Sequence, residues 1–144
     1  MTGPIVVINP NSNQAVTDGL ADALTGFQLQ GGPAIECQTL AEGPFGIESQ
    51  ADSDLVVAPL IELVKRRDDA SAFVIACYSD PGLEACRTLT NVPVFGIQES
   101  GVLVALADKF GLPIHAIGVG EQIEDLDSFD PEEFAAALTG LDNS

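Results

Sequence analysis

Apolar and polar positions change rhythm in blocks along this chain. "PIVVINPNSN" (4–13) is an apolar run that passes into Asn-Pro-Asn-Ser, which predicts a buried strand and then a polar loop. "TDGLADALTGF" (17–27) has apolar residues at helical spacing and stops at Gly26. "AIECQTLA" (34–41) reads as a second strand, and "EGPFGIES" (42–49) is too rich in Gly and Pro for regular structure. "SQADSDLVVAPLIELVKRRDD" (49–69) predicts a helix that Pro59 should kink or break in two. "SAFVIACYS" (71–79) is a continuous apolar strand of the kind found at the centre of parallel sheets. A short helix follows over 81–90, opening at Pro81, and then a fourth strand over 92–99. A helix over 100–111, a fifth strand over 112–120 and a last helix over 128–141 complete the pattern.

Strands and helices therefore alternate along the chain, which predicts an α/β protein built on one doubly wound parallel sheet. Five strands suit the flavodoxin-like order 2-1-3-4-5, within a single domain spanning 1–144. Ligands of such sheets bind beyond the carboxyl ends of the strands at the switch point. The loops that flank that point are NPNSN (9–13) and CYSDPG (77–82).

Composition narrows the partners. The 144 residues carry a net charge of −17, with 22 acidic residues against 5 basic ones. So negative a surface repels phosphate backbones and anionic lipid heads, which argues against nucleic-acid and membrane partners. Lys65, Arg66 and Arg67 stand together where cations favour a helix C-terminus. No apolar run approaches the roughly 20 residues of a membrane span. "MTGPIVVINP" lacks a basic leader, and Cys37, Cys77 and Cys86 are an odd number of thiols, so the expectation is a reduced, cytoplasmic protein. The cysteine spacing matches no zinc pattern, the single His115 reads as a structural histidine in a strand, and no metal is expected. The acidic stretch "EQIEDLDSFDPEE" lacks calcium-loop spacing and reads as a solvated face.

Cys77 has two readings. Free cysteine commonly fills space as a small hydrophobe, but at a strand end before a helix it could also serve as a thiolate base. Asn9, Asn11 and Ser12 likewise read either as ordinary turn and cap residues or as an anion site at a helix N-terminus. Tyr78 and Ser79 are either site-lining groups or polar ends of a strand.

"VVINPNSNQAVTDGL", "TLAEGPFGIESQAD", "AFVIACYSDPGL" and "VPVFGIQESGV" together resemble the aspartate/glutamate/hydantoin racemase family over about residues 1–101. The resemblance implies two similar α/β lobes, each offering one cysteine to one face of the substrate's α-carbon, with no cofactor. It makes Cys77 the first lobe's base. It has Asn9, Asn11 and Ser12 line the site, while Tyr78 and Ser79 hold a substrate carboxylate or imide oxygen. The family's second cysteine motif is absent, since Cys37 lies in a predicted strand and Cys86 in a predicted helix.

"GVLVALADKFGLPIHAIGVGEQIEDLDSFDPEEFAAALTGL" (101–141) resembles instead the C-terminal end of a signal recognition particle receptor GTPase. Gly118, Gly120 and Glu121 would then be a remnant of its guanine pocket. There is no GxxxxGK[ST] loop and no Thr-Lys-x-Asp motif, so GTP is not expected to bind.

The expectation from both resemblances is a chimera joined near Gly101, engineered or fused, with no evolved catalytic function and a relic half-site at Cys77. One alternative is a racemase or isomerase acting on hydantoins or amino acids through Cys77. Another is a binder of a small carboxylate, imide or buffer anion. Loss of a partner lobe would also expose apolar surface and favour self-association.

Overall fold

Alternate residues of the apolar runs point to opposite sides of a strand, and the core follows that parity. A computed structural model of the chain describes residues 3–100 and the two short strands Ala116–Gly118 and Leu126–Ser128. The chain divides into two compact units, Met1–Ser100 and Gly101–Ser144.

In the first unit β1 (Ile5–Asn9), β2 (Ile35–Thr39), β3 (Ala72–Ile75) and β4 (Val94–Gly96) form one parallel sheet in the order β2-β1-β3-β4. β1 sits centrally, with Ile5 opposite Ile35 on one side and Ala72 on the other. The helices are α1 (Gln14–Leu24), continued by a 3-10 turn at Thr25–Phe27, α2 (Gln50–Arg66) and α3 (Leu83–Arg87). A further helix opens at residue 97, directly after β4.

The core gathers on one face of the sheet. Val6 and Ile8 of β1 and Phe73 and Ile75 of β3 meet Val56, Leu60, Leu63 and Val64 of α2 and Leu83 and Cys86 of α3. The α2 residues recur at helical spacing and form one buried stripe. Fully burying a side chain of this size contributes about 1.5–3 kcal/mol relative to leaving it exposed.

α2 begins in a capping box. The Ser49 hydroxyl accepts from the Asp52 N–H at 3.2 Å, and the Asp52 carboxylate accepts from the Ser49 N–H at 3.0 Å. Its C-terminal basic cluster is more than a dipole complement. Arg67 donates to Glu36 at 2.7 Å, Gln38 at 3.2 Å and Asp69 at 2.8 Å, and so ties the end of α2 to β2.

Three expectations need correction. Of the kink or break expected at Pro59, the break does not occur, since α2 runs unbroken through it. The turn that loses a hydrogen bond there carries Leu55, which is 68% exposed, so water can serve its carbonyl. The helix expected over 81–90 is regular only over Leu83–Arg87, and Gly82 caps it in the left-handed conformation. The fifth strand does not extend the parallel sheet among the described residues. β5 (Ala116–Gly118) pairs antiparallel with β6 (Leu126–Ser128) in a two-stranded sheet of the second unit. An antiparallel pair closes over a short connection, whereas a parallel addition needs a long crossover. His115, Gly120, Glu121, the remainder of the helix expected over 100–111 and the helix expected over 128–141 lie outside the described residues. Among the described residues no helix is long and apolar enough to cross a membrane.

Candidate functional site

The carboxyl ends of β1 and β3 are neighbours in the sheet, and the ladder continues past their regular parts. The Ala76 N–H donates to the Ile8 carbonyl at 2.8 Å. Parity then separates the candidate residues. Phe73 and Ile75 face the α2/α3 core and Cys77 packs against the same cluster. Asn9 faces α1, where its side chain meets Thr17.

On the α1 face the polar groups satisfy one another. Asn9 is fully buried, and its amide donates to Asn11 Oδ1 at 2.9 Å, the Asn13 carbonyl at 3.1 Å and Thr17 Oγ1 at 3.1 Å. Its own Oδ1 accepts from the Asn11 N–H. Asn11 Oδ1 also accepts from the Asn13 N–H, and Asn13 caps α1 by accepting from Ala15 N–H. The Thr17 hydroxyl reaches that of Thr39 on β2, which donates to Gln14 Oε1. Ser12 joins the next loop through its N–H, which donates to the Pro44 carbonyl at 2.8 Å. That approach needs glycine at position 43, where a Cβ would stand 2.6 Å from the Pro10 carbonyl oxygen. Asn11 and Ser12 are half-buried.

On the α2 face the arrangement is open. Cys77 is half-buried, with its sulfur 3.5 Å from the Ser79 hydroxyl. Ser79 is itself exposed and lies 2.9 Å from the hydroxyl of Ser53, which is 6% exposed within the apolar stripe of α2. Three residues therefore form the row Ser53–Ser79–Cys77, in which a hydroxyl is in reach of the sulfur and can donate to a thiolate. Tyr78 points away into solvent, 76% exposed, and Phe45 of the loop after β2 is 74% exposed.

The other two thiols are placed differently. Cys86 is fully buried, and that burial pushes its thiol up to about 11. Cys37 lies on the edge strand β2 and is raised by the same cause. It borders a shallow depression of about 200 Å³ between α1 and β2, lined also by Ala21, Leu24 and Ile35 and remote from the loops after β1 and β3.

Sequence reasoning missed Ser53 and Asp80. A serine inside the stripe 53, 56, 60, 63 was the available signal for Ser53. Asp80 belongs to a Ser-Asp-Pro-Gly turn and is the one non-glycine residue with positive φ among those described, at 44°.

The profile of the Asp/Glu/hydantoin racemase family matches residues 5–125. The chain belongs to that family. A hydantoin racemase of a Pseudomonas species is 38% identical over 126 residues, which cover 85% of this chain and 50% of that protein. The solved structure of allantoin racemase from Klebsiella pneumoniae superposes with a TM-score of 0.65 at 30% identity, covering 72% of this chain and 42% of that one. The family match does not account for everything. A 46-residue stretch, 32% of the chain, is 50% identical to the signal recognition particle receptor FtsY of Agrobacterium fabrum. The chain spans half the length of the Pseudomonas racemase.

These matches overturn the expectation of a fusion without catalytic function. The family profile runs on to residue 125, well past the junction expected near Gly101, and the relatives it brings together are named as racemases. The likeness to two families within one chain stands; the absence of activity inferred from it does not.

Proposed function

We propose that this protein is a cofactor-independent racemase-type isomerase that moves the α-proton of a hydantoin or a related amino-acid derivative through Cys77. The observation that carries the reading is Cys77 itself. It is a half-buried thiol at the carboxyl end of a central parallel strand, in a racemase-family chain, with a hydroxyl 3.5 Å from its sulfur.

The proposed chemistry is short. The Cys77 thiolate takes the proton from the ring carbon between a nitrogen and a carbonyl. The electron pair of that C–H bond moves into the carbonyl as an enolate, and a proton returns to the carbon. The Ser79 hydroxyl, oriented by Ser53, donates to the thiolate before abstraction and is then free to turn toward a substrate oxygen. The half-buried Asn11 and Ser12 border the neighbouring loop and offer polar contacts to the ring's imide edge. Allantoin is itself a hydantoin with a ureido group at C5, so the names of both relatives support a five-membered cyclic ureide as the substrate class.

One base on one face exchanges the proton without inverting the carbon. Inversion needs an acid on the other face. The test follows C5 deuteration and optical rotation together, on one enantiomer of a 5-substituted hydantoin in deuterated buffer. Exchange that outpaces loss of rotation supports a single working thiol. Equal rates support an opposed acid. No exchange above buffer, for hydantoins or free amino acids, contradicts the reading.

A further inference from the structure

Asp80 has an unusual backbone and an unusual set of partners. Its φ of 44° lies in the left-handed region that L-residues other than Asn and Asp rarely enter. Its N–H donates to the Cys77 carbonyl at 3.0 Å, closing the turn that carries Tyr78 and Ser79. Its carboxylate reaches across to the segment that follows β4. Oδ1 accepts from the Gln98 N–H at 3.0 Å and Oδ2 from the Glu99 N–H at 2.9 Å, so both oxygens cap the helix that opens at residue 97. These are charge-assisted bonds to orphan N–H groups at the positive end of a helix.

The cradle for that carboxylate is built by a missing side chain. Gly96 ends β4, and a Cβ placed there would stand 2.6 Å from Asp80 Oδ1. Arg87 holds the same junction from the α3 side, with its guanidinium on the Val94 carbonyl at 3.1 Å and on the Glu99 carboxylate at 3.1 Å. The cap is thus pinned independently of the loop that Asp80 belongs to.

We propose that Asp80 is a positioning residue for Cys77, a carboxylate strut that holds the 77–80 turn against the β4–helix junction in the pose that brings Ser79 to the sulfur. The inference rests on Cys77 being the working thiol. It adds a residue that touches neither substrate nor sulfur. Without the carboxylate, residue 80 has no compensation for its left-handed backbone and relaxes. Relaxation turns Ser79 away, and the thiolate loses its donor. Gly96→Ala should do the same with Asp80 intact, by occupying the cradle.

The test is the pH profile of Cys77 alkylation by iodoacetamide, resolved by peptide mass spectrometry from Cys37 and Cys86 in the same sample. Asp80→Ala should move the Cys77 profile toward higher pH, read as a several-fold slower reaction at a fixed pH on its rising limb. Gly96→Ala should move it in the same direction, and the double variant no further than the larger single one. Asp80→Asn, with one acceptor oxygen left, should fall between. Cys86 labelling should stay unchanged, because a local strut does not open the core. A Cys77 profile that is unmoved or shifts down in Asp80→Ala and Gly96→Ala overturns the proposal, as does Cys86 labelling that rises alongside. The readout needs no turnover. Absence of proton exchange in the unaltered protein would therefore count against the racemase reading alone.

Discussion

Two polar clusters stand at the same end of the sheet and differ in what they leave free. The cluster around Asn9 is closed: its amide has three acceptors, its oxygen a donor, and the residue is fully buried. The cluster around Cys77 is open: a half-buried sulfur has one hydroxyl nearby, and that hydroxyl is exposed. Both loops are rich in residues that binding sites use. The difference teaches that unspent hydrogen-bonding capacity, rather than polarity, separates a site from its scaffold. The Asn9 side chain is committed to bonds within its own loop, and in the proposed reading Cys77 is the group left free to take a proton.

Substitutions can break this contrast, and the largest effect should come from the open side. Cys77→Ala should lower α-proton exchange by about 10²–10⁴-fold, the usual contribution of a positioned base, while leaving the thermal midpoint nearly unchanged. Exchange that survives in Cys77→Ala would move the chemistry elsewhere. The closed side should show the inverse. Asn9→Ala leaves Thr17 and the Asn13 carbonyl without their buried donor and should cost about 2–4 kcal/mol in urea unfolding. Exchange per folded molecule should change far less than for Cys77→Ala; a collapse of exchange with stability intact would make Asn9 a substrate contact.

A finer probe is Ser53→Ala. It removes the inner hydroxyl of the open row and should cost about 1 kcal/mol of stability with a several-fold slower exchange. Equal exchange in Ser53→Ala and the unaltered protein would break the row. The smallest effect concerns acid. Asp52 is held below the usual carboxylate range by its hydrogen bonds to Ser49 and the Glu48 N–H, and Asp69 is held down by Arg67. A carboxylate lowered by folding contributes stability above its ordinary pKa of about 3.9, and that contribution disappears as pH falls through the lower folded value. Asp69 is exposed and Asp52 only partly covered, so acid titration of the urea midpoint should show only a shallow fall below about pH 4. A steep fall at higher pH would place the responsible carboxylates elsewhere.

Much of the fold was legible because it is written in apolar runs. "PIVVIN" and "AFVI" became the two central strands, and the parallel sheet followed from their alternation with helices. Pro59 does not break α2 because local preference yields to the buried stripe of the helix, which continues on both sides of it. The fifth strand misled because an apolar run does not encode its partner, and a nearby antiparallel segment took the pairing. Within the candidate site, Cys77 and the two loops were visible as residue types at strand ends. The division between Asn9 and Cys77 was not, since it depends on which helix packs on which face. Ser53 left only the trace of a serine within an apolar stripe, and Asp80 none, because each makes its bond to a distant segment, Ser53 to Ser79 and Asp80 to 98–99.

The most direct test of Cys77 as the working thiol is proton NMR of a 5-substituted hydantoin in deuterated buffer. The C5–H signal would be followed with the unaltered protein and with Cys77→Ala at equal folded concentration. Loss of the signal well above the buffer rate with the first and at the buffer rate with the second is the result this account predicts. Equal rates in the two samples would contradict it.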